Sequence, residues 1–153
     1  MITHDHTKLA ASALGTLTVA LGFATTIALP ATAHADGVFH SPPGNIACTI
    51  TSADNNTERV ICEIAEHSYM SPPRPPDCHL GGWGNRIQME QGSGPAWKCH
   101  GDALLADGLP TLPYGQTAAG GTITCDSQTG GVTCTDSSTN HFFRLSRDSY
   151  QLG

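Results

Sequence analysis

Residues 44–65 read GNIACTITSADNNTERVICEIA, and this stretch decides the fold. Apolar residues occupy every second position from 46 to 50 and again from 60 to 64. A period of two is typical of β-strands. Placing Cys48 opposite Cys62 puts both apolar sets on one face, whereas a slip by one residue would turn them outward. Since the intervening segment Ser52–Glu58 is polar and suits a turn, the stretch predicts a hairpin stapled by a disulfide.

Two more hairpins follow along the chain. Residues 86–100 alternate on either side of a turn at Gly92–Pro95, and residues 121–136 alternate on either side of Thr129-Gly130. Placing Cys125 opposite Cys134 leaves only a tight turn at Thr129-Gly130. Glycine can adopt the positive φ that such a turn needs. The chain also contains 17 Gly and 10 Pro, which favours loops over helices. We therefore predict a mainly β, small disulfide-stapled domain built from three hairpins, as a sheet, sandwich or small barrel, with little helix.

The six cysteines indicate a disulfide framework, because an even number in a small exported domain is typical of one. The strand registers select one of the many possible connectivities. The predicted pairs are Cys48–Cys62, Cys78–Cys99 and Cys125–Cys134. Each pair closes a short loop and is expected to stabilise the fold by roughly 2–4 kcal/mol in the chain-entropy account.

Residues 1–35 have the pattern of a signal peptide. Lys8 precedes an apolar run that continues to about Leu29, and Ala33 and Ala35 satisfy the small-x-small rule for cleavage. We predict cleavage after Ala35, which leaves residues 36–153 as a single secreted β-rich domain. A retained membrane anchor is the alternative, because the apolar run approaches spanning length. The predicted location is extracellular or in the cell envelope.

The formal net charge of −6 bears on the class of partner. A negative chain is poorly suited to bind nucleic acid or an anionic membrane surface. We therefore expect no nucleic-acid partner, and no membrane contact once the signal peptide is removed. An envelope glycan or protein remains as the expected kind of partner.

Several stretches resemble a family of small secreted actinobacterial, especially mycobacterial, proteins of uncharacterised function. They are FHSPPGNIAC at 39–48, RVICEI at 59–64, CHGD at 99–102, LPYGQ at 112–116, and the closing segment from GGVTC to HFFRLSRDSY at 130–150. The resemblance covers nearly all of the predicted mature chain. It implies export and the disulfide scaffold, and it carries no activity.

The adjacent pairs Cys78-His79 and Cys99-His100 are the most metal-like feature. Two thiolates and two imidazoles could hold zinc tetrahedrally. Neighbouring residues in a strand face opposite ways, however, and in an oxidising compartment the two sulfurs would pair with each other. We therefore expect neither a metal nor another cofactor.

A secreted hydrolase is one alternative function, with His141 as its general base near Asp136 and Arg144. Ser93 lies between two glycines, but the Gly-x-Ser-x-Gly nucleophile pattern is absent. A carboxylate pair is the other arrangement that could hydrolyse a substrate. Its candidate members are Glu63, Glu66, Asp102 and Asp107.

Aromatic side chains suggest binding instead of catalysis, because amphipathic rings are enriched at binding surfaces. Trp83, flanked by glycines, and Tyr114 are the candidate binding residues, whereas Trp97 beside Cys99 is expected to pack on the disulfide core. Our leading hypothesis is a non-enzymatic extracellular or envelope binding module. A second alternative is an inhibitor that presents Pro72–Pro76 or Gly92–Pro95 as a stapled loop.

Overall fold

A computed structural model describes residues 32–34, 37–53 and 55–153. These residues form eleven strands and no helix, and so none of them belongs to a helix that could cross a membrane. The strands are β1 (Thr32–His34), β2 (Gly37–His40), β3 (Ile46–Ser52), β4 (Glu58–Ile64), β5 (Arg86–Glu90), β6 (Ala96–Trp97), β7 (Thr117–Gly120), β8 (Ile123–Gln128), β9 (Gly131–Asp136), β10 (Phe142–Leu145) and β11 (Tyr150–Leu152).

The strands form two sheets. One has the order β2-β3-β4-β5-β6 and is antiparallel throughout. The other has the order β1-β7-β8-β9-β10-β11 and is antiparallel except that β1 runs parallel to β7. The predicted fold class is confirmed, since β3–β4, β5–β6 and β8–β9 are the three expected hairpins. The two sheets pack against each other, β3 on β7 and β4 on β8.

Both predicted registers are present. Cys48 pairs with Cys62 in the first hairpin, and Cys125 pairs with Cys134 in the third. Gln128 pairs with Gly131, so the turn of the third hairpin has the two residues expected. The structure contains the disulfides Cys48–Cys62, Cys78–Cys99 and Cys125–Cys134, which are the same pairs that the strand registers select.

The core lies between the inner faces of the two sheets. Apolar side chains from both sheets are fully buried there, among them Ile50, Ile64 and Phe143. At its centre the two cross-strand disulfides touch, with 3.7 Å between the sulfurs of Cys62 and Cys134. The alternation in the sequence thus becomes a shared layer, in which every second residue of each central strand faces the opposite sheet.

Besides β1, which lies within the predicted signal peptide, three short strands were not predicted. β2, β7 and β11 have three or four residues each, and TAAG in β7 shows no apolar alternation. Their pairing partners β3, β8 and β10 supply the hydrogen bonds that make them strands. The formation of such short strands depends on pairing with a neighbouring strand, which local β-propensity cannot predict.

The predicted signal peptide lies largely outside the described residues, as does the cleavage site after Ala35. β1 falls within the predicted peptide, so cleavage there would remove it from the edge of β7. The division of the chain at residue 35 stays a prediction.

Asp136 joins the two sheets through a buried carboxylate. It accepts hydrogen bonds from the Gly92 amide of the β5–β6 turn, at 2.7 Å, and from the Thr122 hydroxyl of the β7–β8 turn, at 2.6 Å. The Ser138 amide and hydroxyl also donate to it. Burial alone would raise the pKa of Asp136, but these donors outweigh burial and hold the pKa well below its usual range.

We predict that Asp136→Asn lowers the free energy of unfolding by about 2–3 kcal/mol at pH 7, because the variant loses charge-assisted hydrogen bonds. A depressed carboxyl pKa stabilises the fold above the unfolded-state value, near pH 4, and the benefit is lost as pH falls toward the folded-state pKa. The difference from wild type should therefore shrink at pH 3. Urea unfolding at both pH values measures it.

Asp107→Asn is the matched control, because Asp107 is exposed and makes no hydrogen bond among the described residues. It should change stability by less than about 0.5 kcal/mol. Equal stability of the two variants at pH 7 would contradict the role assigned to Asp136.

Candidate functional site

A groove lined by two indole rings lies beside the loop of residues 75–83 and strand β6. It encloses about 630 Å³, which is within the usual range for ligand sites. We call it the tryptophan groove. Its main apolar side chains are Trp83, Trp97 and Leu80, and its polar side chains are Asp77, His79 and Lys98.

Two restraints fix the position of this loop. The disulfide Cys78–Cys99 joins it to the residues that follow β6. The Nε1 atom of Trp83 donates a hydrogen bond of 2.9 Å to the carbonyl oxygen of Pro72. The indole therefore cannot rotate freely, and one wall of the groove has a fixed orientation.

Arg74 holds the proline-rich segment 71–76 against the same loop. Its guanidinium donates to the carbonyl oxygens of Leu80, at 2.7 Å, and Gly81, at 3.0 Å. The one cation of the segment is thus used within the chain. The hypothesis that Pro72–Pro76 is presented as an inhibitory loop stays a prediction, although the segment is tied to the body of the protein.

The other indole of the groove, Trp97, belongs to an aromatic cluster with Tyr69 and Tyr150. The ring of Trp97 meets the ring of Tyr150 edge-on at 4.8 Å, and Tyr69 packs on both. Tyr69 donates its hydroxyl to the carbonyl oxygen of Gly84 at 3.1 Å. Burial, and to a smaller degree the neighbouring Tyr150, raises the pKa of Tyr69, so its hydroxyl stays protonated at neutral pH. As expected, Trp97 packs on the core, yet it also lines the groove.

A buried ion cluster supports the chain beyond β6. Arg86 and Glu63 are both almost fully buried, and the guanidinium donates to Glu63 Oε2 through Nε at 2.9 Å. The same guanidinium donates to Asp102 through Nη1 at 2.9 Å, and this hydrogen bond lowers the pKa of Asp102. The Leu104 amide also donates to Glu63, at 3.1 Å. The loop after residue 100 is thereby anchored to β4 and β5.

His100 is part of this anchor. Its Nδ1 lies 2.7 Å from the carbonyl oxygen of Asp102, and its Nε2 lies 2.9 Å from Asn85 Oδ1. Gly82 packs directly on the imidazole, where an added Cβ would come within 2.3 Å of two ring atoms. Both ring nitrogens are engaged, so His100 serves the scaffold.

These contacts bear on the chemistry that the sequence left open. Glu63 and Asp102, two of the candidate carboxylates, share the guanidinium of Arg86 instead of facing a cleft together. The sulfurs of Cys78 and Cys99 are bonded to each other and therefore cannot act as thiolate ligands.

His141 lies near the turn of the second hairpin. Its Nδ1 is 3.3 Å from the carbonyl oxygen of Gly153, and Gly94 packs near its ring. The carboxylate of Asp136 is hydrogen-bonded to other groups, as described above, and Arg144 donates to Gly130. No hydrogen bond or ion pair joins these three side chains in the described part of the chain, and a catalytic role for His141 stays a prediction.

A second groove, of about 320 Å³, lies at a junction of the two sheets. We call it the arginine groove. It is lined by the turn 41–46, the turn 128–131, residues 144–149 and Tyr114. Tyr114 is 43% exposed and donates its hydroxyl to the carbonyl oxygen of Pro42, which precedes a cis peptide bond.

The two predicted binding residues therefore lie in different grooves, Trp83 in one and Tyr114 in the other. The sequence predicted neither that Trp97 lines a groove nor that Arg144 does. Alternation along β10 could assign Arg144 to the outer face of its strand. It could not predict the hydrogen bond from Arg144 to Gly130, in the turn between β8 and β9.

Comparison with known proteins identifies a family and no activity. Residues 21–152 match the model of a family of unknown function, DUF6636. The match covers most of the chain. No curated protein and no solved structure matches it. The expectation of an uncharacterised family is thus met, whereas its taxonomic range and its secretion stay predictions.

We predict that Glu63→Gln lowers the free energy of unfolding by about 3–5 kcal/mol, because it leaves the buried charge of Arg86 without its main partner. Asp102→Asn is the control, since the side chain of Asp102 is 81% exposed and solvent screens its ion pair, so its loss should change stability far less than Glu63→Gln does. Denaturant unfolding at pH 7 measures both. A Glu63→Gln variant as stable as Asp102→Asn would show that the buried pair does not anchor the loop.

Proposed function

We propose that this chain, which belongs to the DUF6636 family of unknown function, is an exported, non-enzymatic binding module that holds a neutral glycan in the tryptophan groove. The observation that carries the proposal is the presence of two orientation-restrained indoles in one groove on a disulfide-stapled loop. A rigid aromatic site loses little conformational entropy when a ligand binds.

Export is supported by two independent features. The first 35 residues have a signal-peptide pattern, and three intrachain disulfides are typical of an oxidising environment. We place the mature protein in the cell envelope or the extracellular space, where glycans are abundant.

A sugar fits the composition of the groove. Indole rings present a negative π-face, which attracts the polarised C–H groups on one face of a pyranose. Asp77, His79 and Lys98 lie around the rings and offer both donors and acceptors for sugar hydroxyl groups. Asp77 and Lys98 carry opposite charges, so the groove has no strong preference for a charged ligand.

Binding is favoured over hydrolysis by what lines this groove. Among the described residues that line it there is one carboxylate, Asp77, and no Ser or Thr. Glycoside hydrolysis ordinarily uses two carboxyl groups, and acyl transfer uses a hydroxyl or thiol nucleophile. The lining supplies orientation and contact area without the groups that such a reaction needs.

We predict that the protein purified from an exporting host begins at Asp36. Its intact mass should be lower than that of the reduced chain by two hydrogens for each of three disulfides, and alkylation without reduction should add nothing. Mass spectrometry measures both. A retained N-terminus, or alkylation at Cys78 and Cys99, would contradict the export part of the proposal.

We also predict that neutral gluco-, manno- or arabino-oligosaccharides quench tryptophan fluorescence and raise the melting temperature of the mature protein. Trp83→Ala should weaken binding of the responding oligosaccharide at least about tenfold in calorimetry, which corresponds to about 1.4 kcal/mol. The affinity should fall because the substitution removes one of the two indole faces on which a sugar ring can stack.

Tyr114→Ala is the matched control, because it removes an exposed aromatic ring from the other groove. Its affinity for the same oligosaccharide should stay within about twofold of wild type. The proposal fails if no oligosaccharide in the panel binds, or if a folded Trp83→Ala variant binds as tightly as wild type.

A further inference from the structure

Arg144 of the arginine groove is a half-buried cation that lacks an anionic partner among the described residues. Its contact there is a single hydrogen bond of 2.6 Å, from Nη2 to the carbonyl oxygen of Gly130. Arg59, Arg86 and Arg147, in contrast, each pair with a glutamate. A guanidinium has five N–H donors, and this solvent-exposed hydrogen bond uses one of them. Arg144 thus has donor capacity directed at the groove.

One acidic side chain, Asp148, lines the groove beside Arg144 and Arg147. Asp148 accepts a hydrogen bond from the Ser68 hydroxyl at 3.1 Å, and Glu66 pairs with Arg147 at 3.1 Å. Ser41 is buried and also lines the groove. The groove therefore offers donors to a ligand that brings its own acceptors.

Tyr114 adds a flat surface to this donor set. Its hydroxyl is fixed by the hydrogen bond to Pro42, so the exposed ring is held in place rather than swinging into solvent. A fixed aromatic ring beside a guanidinium suits a ligand that has a ring and an anion on the same unit.

We infer that the arginine groove binds an acidic sugar, with the carboxylate on Arg144 and the sugar ring against Tyr114. The planar fork of arginine matches a carboxylate through two parallel hydrogen bonds. The volume of about 320 Å³ suits one or two sugar units. This site shares no lining residue with the tryptophan groove and stands independently of the proposed function.

The test is calorimetric titration of the mature protein with a galacturonic acid disaccharide and with the matching galactose disaccharide. The acidic sugar should bind at least about tenfold more tightly, and its affinity should fall as salt increases. Arg144→Gln should remove this preference, and Arg144→Lys should retain only part of it, because lysine keeps the charge but not the fork.

Arg59→Gln is the control, since Arg59 is a similarly half-buried arginine on β4 that pairs with Glu90. It should bind the acidic sugar like wild type, and so should Trp83→Ala, which separates this inference from the glycan proposal above. Melting temperatures confirm that each variant is folded.

Three results would overturn the inference. The acidic and neutral disaccharides could bind equally, or a folded Arg144→Gln variant could retain the preference. Inorganic phosphate could also compete as well as the acidic disaccharide, which would reveal a general anion site.

Discussion

The contact between the two cross-strand disulfides sets the geometry on which the rest of the structure depends. Each disulfide fixes the register of one hairpin, and the 3.7 Å between Cys62 and Cys134 places one hairpin directly over the other. The apolar residues on either side then meet across the same layer. In the chain-entropy account each closed loop contributes about 3 kcal/mol, a large share of the stability of a small domain.

Two buried charged residues hold turns and loops that lie outside the hydrophobic core. Asp136 links the turns of both sheets from a buried position, and Arg86 anchors the loop after residue 100 to two strands. The Cys78–Cys99 disulfide lies at the tryptophan groove, where it restrains the loop that carries Trp83.

The central hairpins could be predicted from the sequence because alternation and cysteine spacing both specify a single register. The edge strands could not, since β7 has small residues without a pattern and becomes a strand only beside β8. The grooves were beyond prediction for a related reason. Arg144 and Tyr114 line one groove only because the tertiary fold brings their segments together, and the local sequence around each residue does not predict this contact. Trp83 could be placed on a loop from its glycine neighbours alone, and its role in binding stays a prediction.

The burial of the central disulfides imposes an order on assembly. All four of their cysteines are inaccessible in the closed fold, so an oxidant can reach the thiols only while the sheets are still apart. Each hairpin must therefore be oxidised before, or as, it docks on the other. A chain that closed in the reduced state would hide four thiols from further chemistry. The Cys78–Cys99 disulfide, by contrast, lies outside the core cluster and has one half-buried member, Cys99, so the loop that carries the tryptophan groove can be stapled after the core has formed.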